Sequence, residues 1–292
     1  MSRRLVLAAA ASLIVIVASR AAHAAPAVER ELVVGSAART YLISVPASWD
    51  RRTPIPLLFV FHGSGSDPEN MVEATGFDAM AEERHAIVVY PRARRELESF
   101  EVNPPAGRAS ADVIFVDALL ERLRARFPLD ERRIYATGFS NGASLCYRLA
   151  AERPQVFAAI APVAGFLPLL ERAPPIAPVP LLHIHGTADP RVAPPDLKAG
   201  PPAPVPTWAR WNGCRPEPVL STSRTADGFT LKRADYTGPT PRSDAQLVLV
   251  EGVDHDWPGG RAGAASRLVF DFFFAHPRDP PPTPAVAPTP AK

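Results

Sequence analysis

The chain has 292 residues, 47% of them hydrophobic, with 32 Lys and Arg against 30 Asp and Glu. That length allows one large α/β domain with a substantial core, and the near balance of charge leaves no basic stripe of the kind that grips a nucleic-acid backbone. Neither metal-ligand spacing nor a nucleotide-binding glycine loop occurs in the sequence, so no cofactor is expected.

Residues 1–24 begin with Arg3 and Arg4, continue through an apolar run over 5–18, and end on Ala22-His23-Ala24. This is the pattern of a secretory signal peptide with an A-x-A cleavage site. The apolar run is short and alanine-rich, which argues against stable membrane insertion, with an uncleaved anchor as the competing reading. Export to the periplasm or the extracellular space is the expectation. Loss of Arg3, Arg4 and Arg20 leaves 29 basic side chains against 30 acidic ones. At the far end, 277–292 is rich in Pro, Ala and Thr without apolar periodicity, and reads as an extended, disordered tail after a domain over 25–276.

Within the domain, β-favouring runs at 31–35 and 39–45 predict an opening hairpin, and the apolar run 57–61 a central strand. Helix-like segments at 70–84, 111–127 and 142–153 then alternate with strand-like segments at 86–90, 134–137, 158–163 and 181–185. Alternation of this kind predicts a parallel sheet with helices on both faces. The stretch 188–206 is proline-dense and reads as a loop, over the site or simply on the surface. A strand at 246–251 and a helix at 264–275 close the domain. Cys146 and Cys214 would both meet an oxidising compartment, so a bridge between them is open, although Cys146 within a helix also reads as a small buried thiol.

The chemistry concentrates at three strand ends. Gly138-Phe139-Ser140-Asn141-Gly142 follows a short β run and opens a helix, which is the pattern of a nucleophile elbow. Serine on such a turn is exposed, and it needs a base to take its proton and a carboxylate to orient that base. Asp189 stands just past the strand at 181–185 and is the expected acid, with Asp196 as the substitute and turn capping as the ordinary alternative. His255 lies in the glycine-rich loop after the last strand and is the expected base; Asp254 and Asp256 adjoin it too closely to orient its ring. His183 and His185, on the strand before Asp189, read as structural histidines. The oxyanion of the intermediate needs two backbone N–H donors. Asn141 supplies one, and the loop His62-Gly63-Ser64-Gly65 the other, through Ser64 first and Gly63 next. Trp257 and Trp208 are candidate walls of a substrate pocket.

Together His62-Gly-Ser-Gly65, Gly138-Phe-Ser-Asn-Gly142, His185-Gly-Thr-Ala-Asp189, Trp208 to Cys214 and His255-Asp-Trp-Pro-Gly-Gly260 resemble the secreted esterases that include polyhydroxybutyrate depolymerases and feruloyl esterases. The resemblance runs from about residue 39 to 275 and implies an α/β-hydrolase fold with nucleophile, acid, base and oxyanion loop at those positions. Polymer-degrading members usually carry cysteine in the oxyanion loop and a Cys-Trp pair after it; here the loop has Ser64, and residues 98–110 hold neither. A soluble or oligomeric ester is therefore the expected substrate, a hydroxyalkanoate or feruloyl ester cleaved by a serine carboxylesterase. A serine peptidase on the same fold and a non-catalytic binding protein are the competing readings.

Overall fold

The computed structural model describes residues 26–168, 175–192 and 204–279. The predicted signal peptide, Asp196 and the tail beyond residue 279 lie outside the described residues.

Chain order is β1 (Val28–Val34), β2 (Ala37–Ser44), β3 (Ile55–Phe61), α1 (Pro68–Thr75), α2 (Phe77–Arg84), β4 (Ile87–Pro91), α3 (Ala111–Arg124), β5 (Leu129–Phe139), α4 (Asn141–Glu152), β6 (Ala159–Val163), β7 (Leu181–Gly186), α5 (Pro204–Trp211), β8 (Val219–Arg224), β9 (Thr230–Tyr236), β10 (Ala245–Val250) and α6 (Ala264–Ala275). The strands form one sheet in the order β1-β2-β4-β3-β5-β6-β7-β10-β9-β8. From β4 to β10 all neighbours are parallel, while β1-β2 at one edge and β9-β8 at the other are antiparallel additions.

Parallel strands covered on both faces read as unbroken apolar runs, and β3 is buried at every position. Its side chains alternate between two cores. Leu57, Phe59 and Phe61 join α3, α4 and α5 on one face, whereas Leu58 and Val60 join α1, α2 and α6 on the other. Each fully buried aliphatic or aromatic side chain here contributes roughly 1.5–3 kcal/mol. Helix α3 starts where Ser110 Oγ accepts from the N–H groups of Asp112 and Val113, a cap worth ~1 kcal/mol.

Two expectations need correction. The single helix predicted over 70–84 is two helices separated at Gly76. The edge hairpin β8-β9 has no counterpart among the predicted elements. The parallel core is as expected, and it matters for function because β3, β5, β7 and β10 all end at the same edge of the sheet. A crevice outside the carboxyl ends of parallel strands is where this architecture gathers reacting groups.

Candidate active site

Ser140 sits between β5 and α4 with φ 53° and ψ −113°, a backbone that non-glycine residues rarely adopt. The turn is possible because its flanks carry no side chains: a Cβ on Gly138 or on Gly142 would fall within 2.8 Å of the Phe61 carbonyl. The hydroxyl is thereby aimed at the loop after β10. Ser140 Oγ lies 3.0 Å from His255 Nε2, and His255 Nδ1 lies 2.7 Å from Asp189 Oδ2. An ionised carboxylate only accepts, so Nδ1 carries the proton and Nε2 is left to accept from Ser140.

Asp189 is held from several sides. Its Oδ1 accepts from the N–H groups of Arg191 (2.8 Å) and Val192 (2.9 Å). Burial acts to raise its pKa, but those backbone bonds and the His255 ring outweigh it and hold the carboxyl below its ordinary value. The His255 loop reaches the carboxylate because Gly186 has no side chain; a Cβ there would come 2.7 Å from the Asp254 carbonyl. Asp254 and Asp256 turn away from the ring, each accepting from the N–H that follows it, at 2.6 and 2.7 Å. The Phe139 ring lies against His255, with centroids 4.8 Å apart.

On the other side of Ser140, the loop after β3 is fixed by a buried imidazole. His62 Nε2 accepts from Ala93 N–H at 3.0 Å, so its Nδ1 carries the proton and donates to the Gly63 carbonyl at 2.8 Å. That carbonyl also accepts from Ser66 N–H at 3.2 Å. In a trans peptide the N–H points opposite to the C=O, so the Ser64 N–H faces away from these partners. Gly63 itself lies against Ser140, since a Cβ there would be 3.4 Å from Ser140 Cβ. Gly65 N–H, by contrast, is committed to the Glu98 carbonyl at 2.8 Å. Asn141 is the first residue of α4, where the backbone N–H has no partner within the helix.

A model of the family described as Esterase PHB depolymerase matches residues 36–190. The chain is also 30% identical over 250 residues to feruloyl esterase C of Emericella nidulans, covering 81% of this chain and 84% of that relative. The chain belongs to the esterase PHB depolymerase family. It is a carboxylic ester hydrolase. Another relative of this esterase is poly(3-hydroxyalkanoate) depolymerase C of Paucimonas lemoignei, 24% identical over 256 residues, covering 74% of this chain and 60% of that one. Among solved structures, the acetyl xylan esterase from Aspergillus awamori superposes with a TM-score of 0.63 at 13% identity, covering 85% of this chain and 99% of that one. The fold is that of the α/β-hydrolases.

Several side chains of this esterase do work that sequence reasoning missed. The Asn141 amide pairs with Phe100 from both ends, accepting its N–H at 2.7 Å and donating to its carbonyl at 3.1 Å. The Phe100 ring meets Phe61 edge-on and His62 at a tilt, with centroids 5.4 and 4.7 Å apart. The segment around Phe100 is thus tied to the start of α4 by hydrogen bonds.

The two tryptophans considered as pocket walls belong to the core. Trp257 is 3% exposed, donates to Ser266 Oγ at 3.0 Å and meets Phe77 edge-on. It anchors the His255 loop to α6. Trp208 is fully buried and donates to the Val179 carbonyl. Cys146 and Cys214 are free thiols. Cys146 points back along α4 to the Gly142 carbonyl and Cys214 to the Ser243 carbonyl, so the two sulfurs serve separate sites.

Proposed function

We propose that this chain is a secreted serine carboxylesterase that cleaves soluble or oligomeric hydroxyalkanoate or feruloyl-type esters through an acyl-enzyme. The observation that carries the reading is the continuous line from Ser140 Oγ through His255 to Asp189, with links of 3.0 and 2.7 Å. Ser140 Oγ attacks the ester carbonyl carbon while its proton passes to His255 Nε2. The carbonyl π electrons move to oxygen, and the N–H groups of Asn141 and Ser64 receive the developing charge. As the C–O bond breaks, His255 returns the proton to the departing alcohol. Water, deprotonated by the same Nε2, then attacks the acyl-enzyme, and the proton passes on to Ser140 Oγ as its bond to the acyl carbon breaks and the acid is released. Throughout, Asp189 offsets the charge on the imidazolium.

The substrate class is supported by relatives named feruloyl esterase and poly(3-hydroxyalkanoate) depolymerase. Preference for soluble esters is supported by Ser64 and by residues 98–110, which hold neither cysteine nor tryptophan. Export rests on the N-terminal pattern, and no helix among the described residues is long and apolar enough to cross a membrane. The test is initial rates on 4-nitrophenyl acyl esters, methyl ferulate and a 3-hydroxybutyrate oligomer, beside Ser140→Ala. Turnover in the wild type and a loss on the order of 10⁶-fold in the variant are expected; equal rates in the two proteins would overturn the mechanism.

A further inference from the structure

Strand β7 carries two imidazoles that the mechanism above does not use. His183 and His185 are two residues apart on one strand, so both project from the same face. Both are fully buried, and their rings stack with centroids 5.3 Å apart. Buried polar groups are costly unless every donor and acceptor is matched. Here the matching dictates the direction of every proton.

His185 Nε2 lies 3.1 Å from Asp189 Oδ2 and 3.0 Å from the Val192 carbonyl. Both neighbours are acceptors, so Nε2 bears the proton. Burial holds His185 below its ordinary pKa and the ring neutral, which leaves Nδ1 as an acceptor. His183 Nε2, 3.0 Å away, must therefore donate to it. His183 is held still further down, again by burial, so its own Nδ1 is a lone pair. The Tyr147 hydroxyl on α4 fills that position at 2.7 Å. Trp208 packs edge-on against the Tyr147 ring, 5.4 Å between centroids, and fixes the phenol in place. Donation runs one way, from Tyr147 to His183, to His185, to Asp189; reversing any link would set two donors or two lone pairs face to face.

The end point gives the chain its meaning. Oδ2 is the oxygen that also receives His255 Nδ1, at 2.7 Å. We infer that Tyr147, His183 and His185 are positioning residues for the ester hydrolysis, a directed donor chain that fixes the rotation of the Asp189 carboxylate and shares the charge on the oxygen facing the base. The inference rests on the triad reading of Ser140, His255 and Asp189. A carboxylate bound only through Oδ1 by Arg191 and Val192 could swing Oδ2 off the line to His255; the His185 donor removes that freedom. Substrate does not touch these buried residues, so the effect belongs in kcat and not in KM.

A double-mutant cycle tests this, with Tyr147→Phe, His185→Leu, the pair combined, His185→Gln and Ser140→Ala, each checked for a cooperative melt. His185→Leu should lower kcat about tenfold with KM unchanged, and His185→Gln, whose amide can both donate and accept, should recover most of the loss. Tyr147→Phe should lower kcat about threefold in the wild type and not at all in the His185→Leu background, because Tyr147 acts only through His185. The downfield proton resonance of His255 Nδ1–H should move in both single variants. Losses that multiply, or an unmoved resonance with unchanged kcat, would overturn the chain. Should His185→Leu fail to fold, Tyr147→Phe keeps the ring and decides by the resonance alone. Activity surviving in Ser140→Ala would instead overturn the triad reading, so the two failures are separable.

Discussion

In the proposed mechanism the acid–base side of Ser140 works with side chains, Asp189 and His255, whereas the oxyanion side works with backbone N–H groups of Ser64 and Asn141. Each side is held by a buried imidazole, but the partners differ. Among the described residues the hydrogen-bond partners of His62 are both backbone groups, the Gly63 carbonyl and the Ala93 N–H. His185 has a carboxylate, and the tyrosine–histidine chain stands behind it. A dipole needs only a fixed peptide plane, which one imidazole can enforce. A charge whose strength matters needs its hydrogen bonds counted as well as its position fixed, and Asp189 accordingly takes four among the described residues.

That contrast can be broken in graded steps. Asp189→Asn should cost the most, about 10⁴-fold in kcat with little change in KM, because an amide N–H facing His255 Nδ1 forces the wrong tautomer; steady-state kinetics checks it. His62→Leu should cost about 10²- to 10³-fold in kcat, the cost of losing one oxyanion donor, since the Gly63-Ser64 peptide is then held only by the longer bond from Ser66 N–H. A loss in His62→Leu as large as that in Asp189→Asn would erase the distinction. Asn141→Ala keeps the backbone donor but releases Phe100, and should lower kcat/KM about tenfold, the equivalent of about 1.4 kcal/mol.

The last expected effect concerns stability and not rate. His62, His183 and His185 are all held below their ordinary pKa by burial, so the unfolded chain takes up their protons first as pH falls. Stability is therefore complete above the unfolded value of about 6.5 and declines below it, by at most about 1.4 kcal/mol per pH unit for each group. Thermal melts from pH 7.5 to 5 should show this fall, and it should flatten in His62→Leu. A melting temperature that rises on acidification would contradict the neutral state of the buried rings.

The parallel core was legible in the sequence because strands buried on both faces leave unbroken apolar runs, as in Leu57-Leu-Phe-Val-Phe61 and Ala86-Ile-Val-Val-Tyr90. Edge strand β8 was not, since it is exposed at every position and Val219-Leu-Ser-Thr-Ser-Arg224 shows no alternation to read. The break between α1 and α2 hid because the apolar spacing continues across Gly76. At the proposed site, Ser140, Asp189 and His255 were legible as residues that follow strand ends. The work of His62 and the Asn141 amide was not, because their partners, Ala93 and Phe100, lie 31 and 41 residues away. The same reason concealed the link between Tyr147 and His183, and aromatic character alone misplaced Trp257, whose ring faces Phe77 and not a pocket.

The most direct test of the account is covalent labelling with a fluorophosphonate probe, read by intact mass and peptide mapping. One adduct per wild-type chain, on the peptide carrying Ser140 and absent in Ser140→Ala, is the expected result. Undiminished labelling of Ser140→Ala, or a folded wild-type protein that takes up no probe, would contradict it.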